Sequence, residues 1–131
     1  MMSNKAVTLV TSKAPMTLFR RVTDQFSVSP QIAVGDVAQA ARQGFALIIN
    51  NRPDGEVPNQ PLQTDIATKA QQAGLAYHYL PVVGGQLTRE QVEQFAEIFN
   101  QAEKPVFMFC RSGNRSNVLF QSAKQLDLLD D

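Results

Sequence analysis

The segment Val106-Phe-Met-Phe-Cys-Arg-Ser-Gly-Asn-Arg-Ser-Asn-Val-Leu-Phe120 decides the fold. It joins a continuous apolar run to a lone cysteine, a short polar loop and a helical pattern. The apolar run 106–109 is typical of a central parallel strand that is buried on both faces. Cys110 then falls at the carboxyl end of that strand, where open α/β sheets bind their ligands. The segment therefore predicts a strand, a nucleophile, an anion-binding loop and a helix, in that order.

The loop 110–116 contains the residue types that an oxyanion site needs. A loop that leads into a helix N-terminus directs backbone N–H groups at one point, which favours an anion and favours a thiolate over a thiol. We expect Gly113 to allow a sharp turn and Arg115 to grip two oxygens with its planar guanidinium. Ser116 is expected to cap the helix and to donate a hydrogen bond to the cysteine sulfur. The other loop residues are expected to shape the entrance or to contribute a backbone N–H: Arg111, Asn114 and Ser112.

A plainer alternative is that Cys110 is a small buried hydrophobic residue and that the polar residues after it form a surface turn. That alternative does not explain why cysteine, glycine, arginine and serine fall together at a strand-to-helix junction. We therefore favour an activated nucleophile that needs no separate base.

The loop Cys110–Ser116 resembles the active-site loop of cysteine-based phosphatases and rhodaneses. Together with the segments Phe26–Ile32, Asn51–Glu56 and Tyr77–Val82, it makes the chain resemble the bacterial phosphatase-like domain that is sometimes fused to beta-lactamase-fold hydrolases, over roughly residues 19–126. The resemblance implies the fold of the dual-specificity cysteine phosphatases, with the cysteine strand in the middle of the sheet. It leaves the reaction open, because sulfur transfer is a competing activity in that family.

The length of the loop favours sulfur transfer. Phosphatases of this type have arginine six positions after cysteine, whereas Arg115 is five positions after Cys110. One residue fewer removes a potential inward N–H and up to about 3.5 Å of contour. In addition, Phe109 replaces a histidine that is usual in these phosphatases, and the segment 81–86 lacks their general-acid aspartate. An alkoxide leaving group usually needs such an acid, whereas sulfur transfer from thiosulfate does not.

Three functions are compatible with this loop, and the first is the leading hypothesis. In the first, Cys110 takes a sulfane sulfur from a donor such as thiosulfate, carries it as a persulfide and passes it to a thiol or cyanide. In the second, a phosphatase, Cys110 forms a cysteinyl phosphate, Arg115 holds the phosphoryl oxygens, and Asp54 or water supplies the proton. In the third, a non-catalytic module binds a phosphorylated or sulfated ligand. We expect no cofactor and no metal in any of the three.

Two loops outside the cysteine segment offer further candidates. If the strands are parallel, the loop 50–56 reaches the same sheet edge as Cys110. Asp54 is then the most plausible substitute acid, and Arg52 would add positive potential or hold the loop by pairing with a carboxylate. Arg-Pro-Asp-Gly is also a sequence typical of a β-turn. We favour this turn interpretation, which is compatible with a role in the site. Gln86 is a weaker candidate for orienting water or substrate.

Alternating strands and helices predict one three-layer α/β domain at 19–131, with a mainly parallel sheet of four or five strands between helices. Residues 1–18 are predicted to be an extension. Pro30 indicates that the first strand is an edge strand or an irregular one. Strands are predicted at 26–32, 45–49, 75–80 and 106–109, and helices at 35–43, 60–73, 88–102 and 116–125.

The composition of the chain limits the classes of binding partner that we expect. The 131 residues carry 12 basic and 12 acidic side chains, so bulk charge indicates neither nucleic acid nor a membrane surface as a partner. A single cysteine excludes an intrachain disulfide. The N-terminus is a poor secretory signal, and we expect a cytoplasmic protein. The expected partner is a small oxyanion or phosphorylated substrate, with a thiol acceptor if sulfur is transferred.

Overall fold

The computed structural model describes residues 19–130, which form five strands and four helices. Every element predicted above is present within three residues at either end. Within this range, none of the helices combines the length and the apolar character needed to cross a membrane. The strands are β1 (Arg20–Thr23), β2 (Phe26–Ser29), β3 (Leu47–Asn50), β4 (Ala76–Tyr79) and β5 (Val106–Phe109), and the helices are α1 (Asp36–Arg42), α2 (Gln63–Gln72), α3 (Arg89–Gln101) and α4 (Asn114–Gln125).

The strands form one sheet in the order β1-β2-β5-β3-β4. Only β1 is antiparallel to its neighbour, and the other pairs are parallel. The prediction of an α/β domain with a mainly parallel sheet and a central cysteine strand is therefore confirmed.

The position of β2 corrects one prediction. Because of Pro30 it was expected to be an edge strand or an irregular one. It is not an edge strand, since it lies between β1 and β5, but its pairing with β1 has a register shift. Pro30 follows the last residue of β2, so its missing N–H removes no hydrogen bond from the ladder. The outer strand on this side of the sheet is β1, which the sequence patterns did not predict. The predicted extension at 1–18 lies outside the described residues.

The central strand β5 divides the core into two layers. Val106 and Met108 pack in a cluster with residues of α3 and α4. Phe107 and Phe109 pack on the opposite face with residues of α1 and α2. All four side chains are fully buried, as expected for a parallel strand covered by helices on both faces.

The strand register brings four chain segments to one edge of the sheet. The last residues of the parallel strands, Ser29, Phe109, Asn50 and Tyr79, are aligned with one another. The backbone N–H of Asn51 continues this alignment, because it donates to the Phe109 carbonyl at 2.9 Å. The loop 50–56 and the cysteine loop therefore meet at the carboxyl edge of the sheet, as the sequence predicts.

Candidate functional site

Cys110 follows β5 directly and is fully buried. The backbone N–H of Gly113 donates a hydrogen bond to its Sγ over 3.1 Å, so the loop folds back onto the sulfur. Gly113 has φ +95°, and a Cβ at this position would lie 3.3 Å from the Ser29 carbonyl oxygen. Glycine is required here both by the left-handed backbone and by the close approach of β2.

Helix α4 begins at Asn114, with Gly113 as the N-cap, which is earlier than predicted. Ser116 is therefore inside the first turn and does not cap the helix. Its Oγ donates to Asn51 Oδ1 over 2.8 Å, instead of to the cysteine sulfur as predicted. Asn51 Nδ2 in turn donates to the Leu80 carbonyl over 2.9 Å. Ser116 thus links α4 to the loops that follow β3 and β4.

The guanidinium of Arg115 is bound by a carboxylate that the sequence analysis did not assign. Its Nη1 and Nη2 donate to Glu56 Oε2 and Oε1 over 2.7 and 2.9 Å, and Nη1 also donates to the Val82 carbonyl over 2.9 Å. The hydrogen bond from Arg115 is the main reason why the pKa of Glu56 falls to about 2. The same pair raises the pKa of Arg115, and the nearby Cys110 sulfur adds to that rise.

Arg52 binds the same carboxylate. Its Nε donates to Glu56 Oε1 over 2.8 Å, and its Nη1 donates to Gln31 Oε1 over 3.1 Å. The Arg52 side chain is only 4 % exposed. Of the two roles considered for Arg52, pairing with a carboxylate is the one that the structure shows. Glu56 belongs to the quoted segment 51–56, but its two arginine partners became apparent only in the tertiary structure.

Asp54 lies in the turn that its sequence predicts, ahead of Gly55 with φ +81°. Its Oδ1 accepts a hydrogen bond from the backbone N–H of Gln63, the first residue of α2, over 2.8 Å. Its own N–H donates to the Tyr79 hydroxyl over 3.0 Å. The carboxylate is therefore bound at the start of a helix, and this contact supports the turn interpretation.

Of the remaining candidates, only Asn114 joins Arg115 in lining a cavity. Asn114 and Arg115 line a cavity of about 350 Å³ whose other walls are largely apolar. Gln86 is exposed in the adjoining turn and does not line this cavity. Arg111 is exposed, and the Ser112 Oγ accepts a hydrogen bond from the Asn114 N–H. The walls of the cavity are completed by Val82, Gly85, Leu87 and Val118.

Two other cavities, of about 370 and 510 Å³, contain no residue of the cysteine loop. In the part of the chain from 19 to 130, no three histidine, cysteine, aspartate or glutamate side chains are grouped as metal ligands would be. The arrangement at the sheet edge thus combines a thiol, a loop N–H and a fixed guanidinium.

Comparison with known proteins relates this chain to one family. Residues 18–126 match the family model described as the phosphatase-like domain of beta-lactamase hydrolase-like protein. A beta-lactamase hydrolase-like protein from Agrobacterium fabrum is 36 % identical over 107 residues, which is 82 % of this chain and 25 % of the relative. The corresponding protein of Xylella fastidiosa is 34 % identical over 106 residues, 81 % of this chain and again 25 % of the relative. The chain thus spans about a quarter of the length of these relatives.

Solved structures show the same fold. A Neisseria meningitidis protein provisionally assigned as a phosphatase superposes with a TM-score of 0.72 at 35 % identity, covering 77 % of this chain and 72 % of that one. Pseudomonas aeruginosa TpbA in complex with pTyr superposes with a TM-score of 0.61 at 18 % identity, covering 82 % and 62 %. The second likeness concerns the fold alone.

Proposed function

The chain belongs to the phosphatase-like domain family of the beta-lactamase hydrolase-like proteins, and on that premise we propose that it is a cysteine-dependent phosphatase of small aryl phosphates. One observation carries the proposal. Cys110, with the Gly113 N–H on its sulfur, stands at the carboxyl end of the central strand, and Arg115 of the same loop has its guanidinium fixed by Glu56 and the Val82 carbonyl. A nucleophile, an N–H donor and a fixed cation are the groups that phosphoryl transfer to a thiolate requires.

The reaction proceeds in two displacements. The Cys110 thiolate attacks phosphorus and forms an S–P bond, while the bond from phosphorus to the leaving oxygen breaks and its electron pair departs with that oxygen. Water then attacks phosphorus, the S–P bond breaks, and inorganic phosphate leaves with the thiolate restored. Arg115 neutralises the charge on the non-bridging oxygens in both steps.

The preference for aryl esters follows from the lack of an assigned general acid and from the apolar walls of the cavity. The Asp54 carboxylate accepts the Gln63 N–H at the start of α2, so we assign it no role in protonating the leaving group. A phenolate departs without strong help from an acid, whereas an alkoxide does not. The cavity beside Arg115 has apolar walls from Val82, Leu87 and Val118, which suit an aromatic ring. The pTyr in the complex of TpbA is a ligand of the same class.

Sulfur transfer is the second candidate, and the short spacing from Cys110 to Arg115 favours it. In that reaction the thiolate attacks the outer sulfur of thiosulfate, the S–S bond breaks, sulfite leaves, and the persulfide passes its sulfur to a thiol or cyanide. This sequence needs no general acid. It stands second because the relatives and structures described above are named as phosphatases or hydrolase-like proteins.

One pair of measurements separates the two functions. We expect turnover of 4-nitrophenyl phosphate, much slower turnover of an alkyl phosphate, and no turnover by Cys110→Ser. In parallel, the intact mass of reduced protein after incubation with thiosulfate shows whether Cys110 gains one sulfur atom that cyanide removes. Absence of aryl phosphate turnover together with that mass gain would replace the phosphatase with the sulfurtransferase.

A further inference from the structure

The hydrogen bonds of Arg115 leave a single edge of its guanidinium for a ligand. A guanidinium has five N–H groups, and two of its edges each present a pair of parallel N–H bonds. The edge formed by Nη1 and Nη2 is occupied by Glu56, and the other Nη1 hydrogen is taken by the Val82 carbonyl. The edge formed by Nε and the second Nη2 hydrogen remains.

Cys110 opens the loop that contains Arg115, and the Gly113 N–H of that loop donates to its sulfur over 3.1 Å. The sulfur also adds to the rise in the pKa of Arg115. Since the Nη1–Nη2 edge is taken by Glu56, an oxyanion bound over the sulfur would meet the Nε–Nη2 edge. That edge offers two parallel donors to two oxygens, the geometry in which arginine binds phosphate.

Glu56 is itself held by a second arginine. Arg52 donates to its Oε1, which also accepts from Arg115, and the buried Arg52 guanidinium is fixed in turn by Gln31. The Glu56 carboxylate therefore binds two arginines at once and has little freedom to rotate. A carboxylate fixed in this way restricts the orientation of the Arg115 guanidinium. The flexible side chain of Arg115 would not fix that orientation by itself.

We propose that Glu56 is a positioning residue that holds Arg115 with its Nε–Nη2 edge toward the oxyanion of the substrate. The proposal rests on the proposed oxyanion chemistry at Cys110 and does not depend on whether the group transferred is phosphoryl or sulfur. This role predicts the opposite of what simple charge repulsion between Glu56 and a bound anion would give. A carboxylate near a bound anion repels it, so removing the charge by Glu56→Gln would strengthen anion binding if Glu56 had no orienting role.

The test measures the affinity for inorganic phosphate by calorimetry, in a Cys110→Ser background where no covalent chemistry occurs. Glu56→Gln is expected to weaken phosphate binding about tenfold, the equivalent of one misplaced hydrogen bond to a charged group. The matched control is Glu93→Gln, which removes an exposed glutamate that pairs with Arg89 Nε at 3.0 Å outside the site. The control is expected to leave the affinity unchanged.

A double-mutant cycle shows whether Glu56 acts through Arg115. Arg115→Lys removes the planar fork, so adding Glu56→Gln to it is expected to change phosphate affinity by less than about twofold. An equal loss in both backgrounds would overturn the proposal. So would unchanged or tighter phosphate binding by Glu56→Gln alone, or a parent protein that binds neither phosphate nor thiosulfate. If the parent binds thiosulfate but not phosphate, the same affinities are measured with thiosulfate.

Folding and catalysis are followed separately. If Glu56→Gln fails to fold, Glu56→Asp replaces it, because aspartate keeps the charge but is too short to span both arginines. Turnover of 4-nitrophenyl phosphate by proteins with Cys110 intact is expected to show a raised KM for Glu56→Gln. If the parent protein binds phosphate but turns over no aryl phosphate, the phosphatase assignment fails, while the positioning role is still decided by the affinities.

Discussion

Ser116 Oγ donates a hydrogen bond to Asn51 Oδ1 over 2.8 Å, and both side chains are buried. Because Asn51 also donates to the Leu80 carbonyl, one buried chain of hydrogen bonds joins α4 to the loops after β3 and β4. Those loops contain the residues that bind Arg115. A polar network that is fully paired in this way makes the position of each member depend on the others.

Replacing Ser116 by alanine is expected to lower the free energy of unfolding by about 1–3 kcal/mol, because Asn51 Oδ1 would stay buried without its donor. Urea unfolding measures the change. Ser122→Ala, at a half-buried serine of the same helix, is expected to change stability by no more than about 0.5 kcal/mol. Equal losses in the two variants would contradict a specific role for the Ser116 hydroxyl.

Gly113→Ala is expected to destabilise the protein more than Gly44→Ala. Both glycines have left-handed backbones, with φ +95° and +90°, so an alanine costs about 1–2 kcal/mol at either position. Only at Gly113 would the new Cβ also meet a backbone oxygen, that of Ser29, at 3.3 Å, whereas nothing lies within 4 Å at Gly44. Thermal or urea unfolding of the pair gives the difference. Aryl phosphate turnover is expected to fall for Gly113→Ala alone, and an equal fall for Gly44→Ala would argue against the loop contact.

Glu56 is expected to make stability depend on acid pH. Its pKa is lowered from 4.5 to about 2 in the fold, chiefly by the hydrogen bond from Arg115. A lowered carboxyl pKa adds stability that is complete above the unfolded pKa and is lost as pH falls through the folded pKa. The difference in unfolding free energy between wild type and Glu56→Gln should therefore be constant above about pH 5 and shrink toward pH 2. Urea titrations of both proteins across this range measure the difference. A difference that stayed constant down to pH 2 would contradict the prediction.

Asp54 is expected to be structural. Asp54→Asn keeps an oxygen for the Gln63 N–H but removes the acid, so aryl phosphate turnover should stay within about threefold of wild type. Asp54→Ala removes the cap and should cost about 0.5–2 kcal/mol of stability. A general acid would behave differently, since its loss typically lowers turnover by a factor of roughly 10² or more. A fall of that size in Asp54→Asn, with unchanged stability, would make Asp54 the acid.

The fold could be predicted from the sequence because its strands and helices depend on the local pattern of apolar and polar residues. The apolar run 106–109 predicts a strand buried on both faces, and the structure has it in the centre of the sheet. The error at β2 came from reading Pro30 as part of the strand, although it lies just after it. The early start of α4 was missed because Gly113 was assigned to the turn alone, whereas it is also the N-cap residue, whose carbonyl accepts the Asn117 N–H.

The contacts of the candidate site could be predicted from the sequence only in part. Pairing of Arg52 with a carboxylate was one of two roles that the sequence allowed, and the identity of that carboxylate was not predictable. Glu56 and Arg115 are 59 residues apart. They meet because β3 and β5 are parallel neighbours whose ends are in register.

The sequence by itself determined the order of strands and helices, the central cysteine strand and the residue types of the anion-binding loop, because periodicity and turn chemistry act over a few neighbouring residues. Only the tertiary structure decided that Ser116 binds Asn51, that Asp54 caps α2 and that Glu56 holds both arginines. A side chain chooses its hydrogen-bond partner among the groups that the sheet register brings within about 3 Å. That choice depends on the packing of distant segments, which local sequence patterns do not specify.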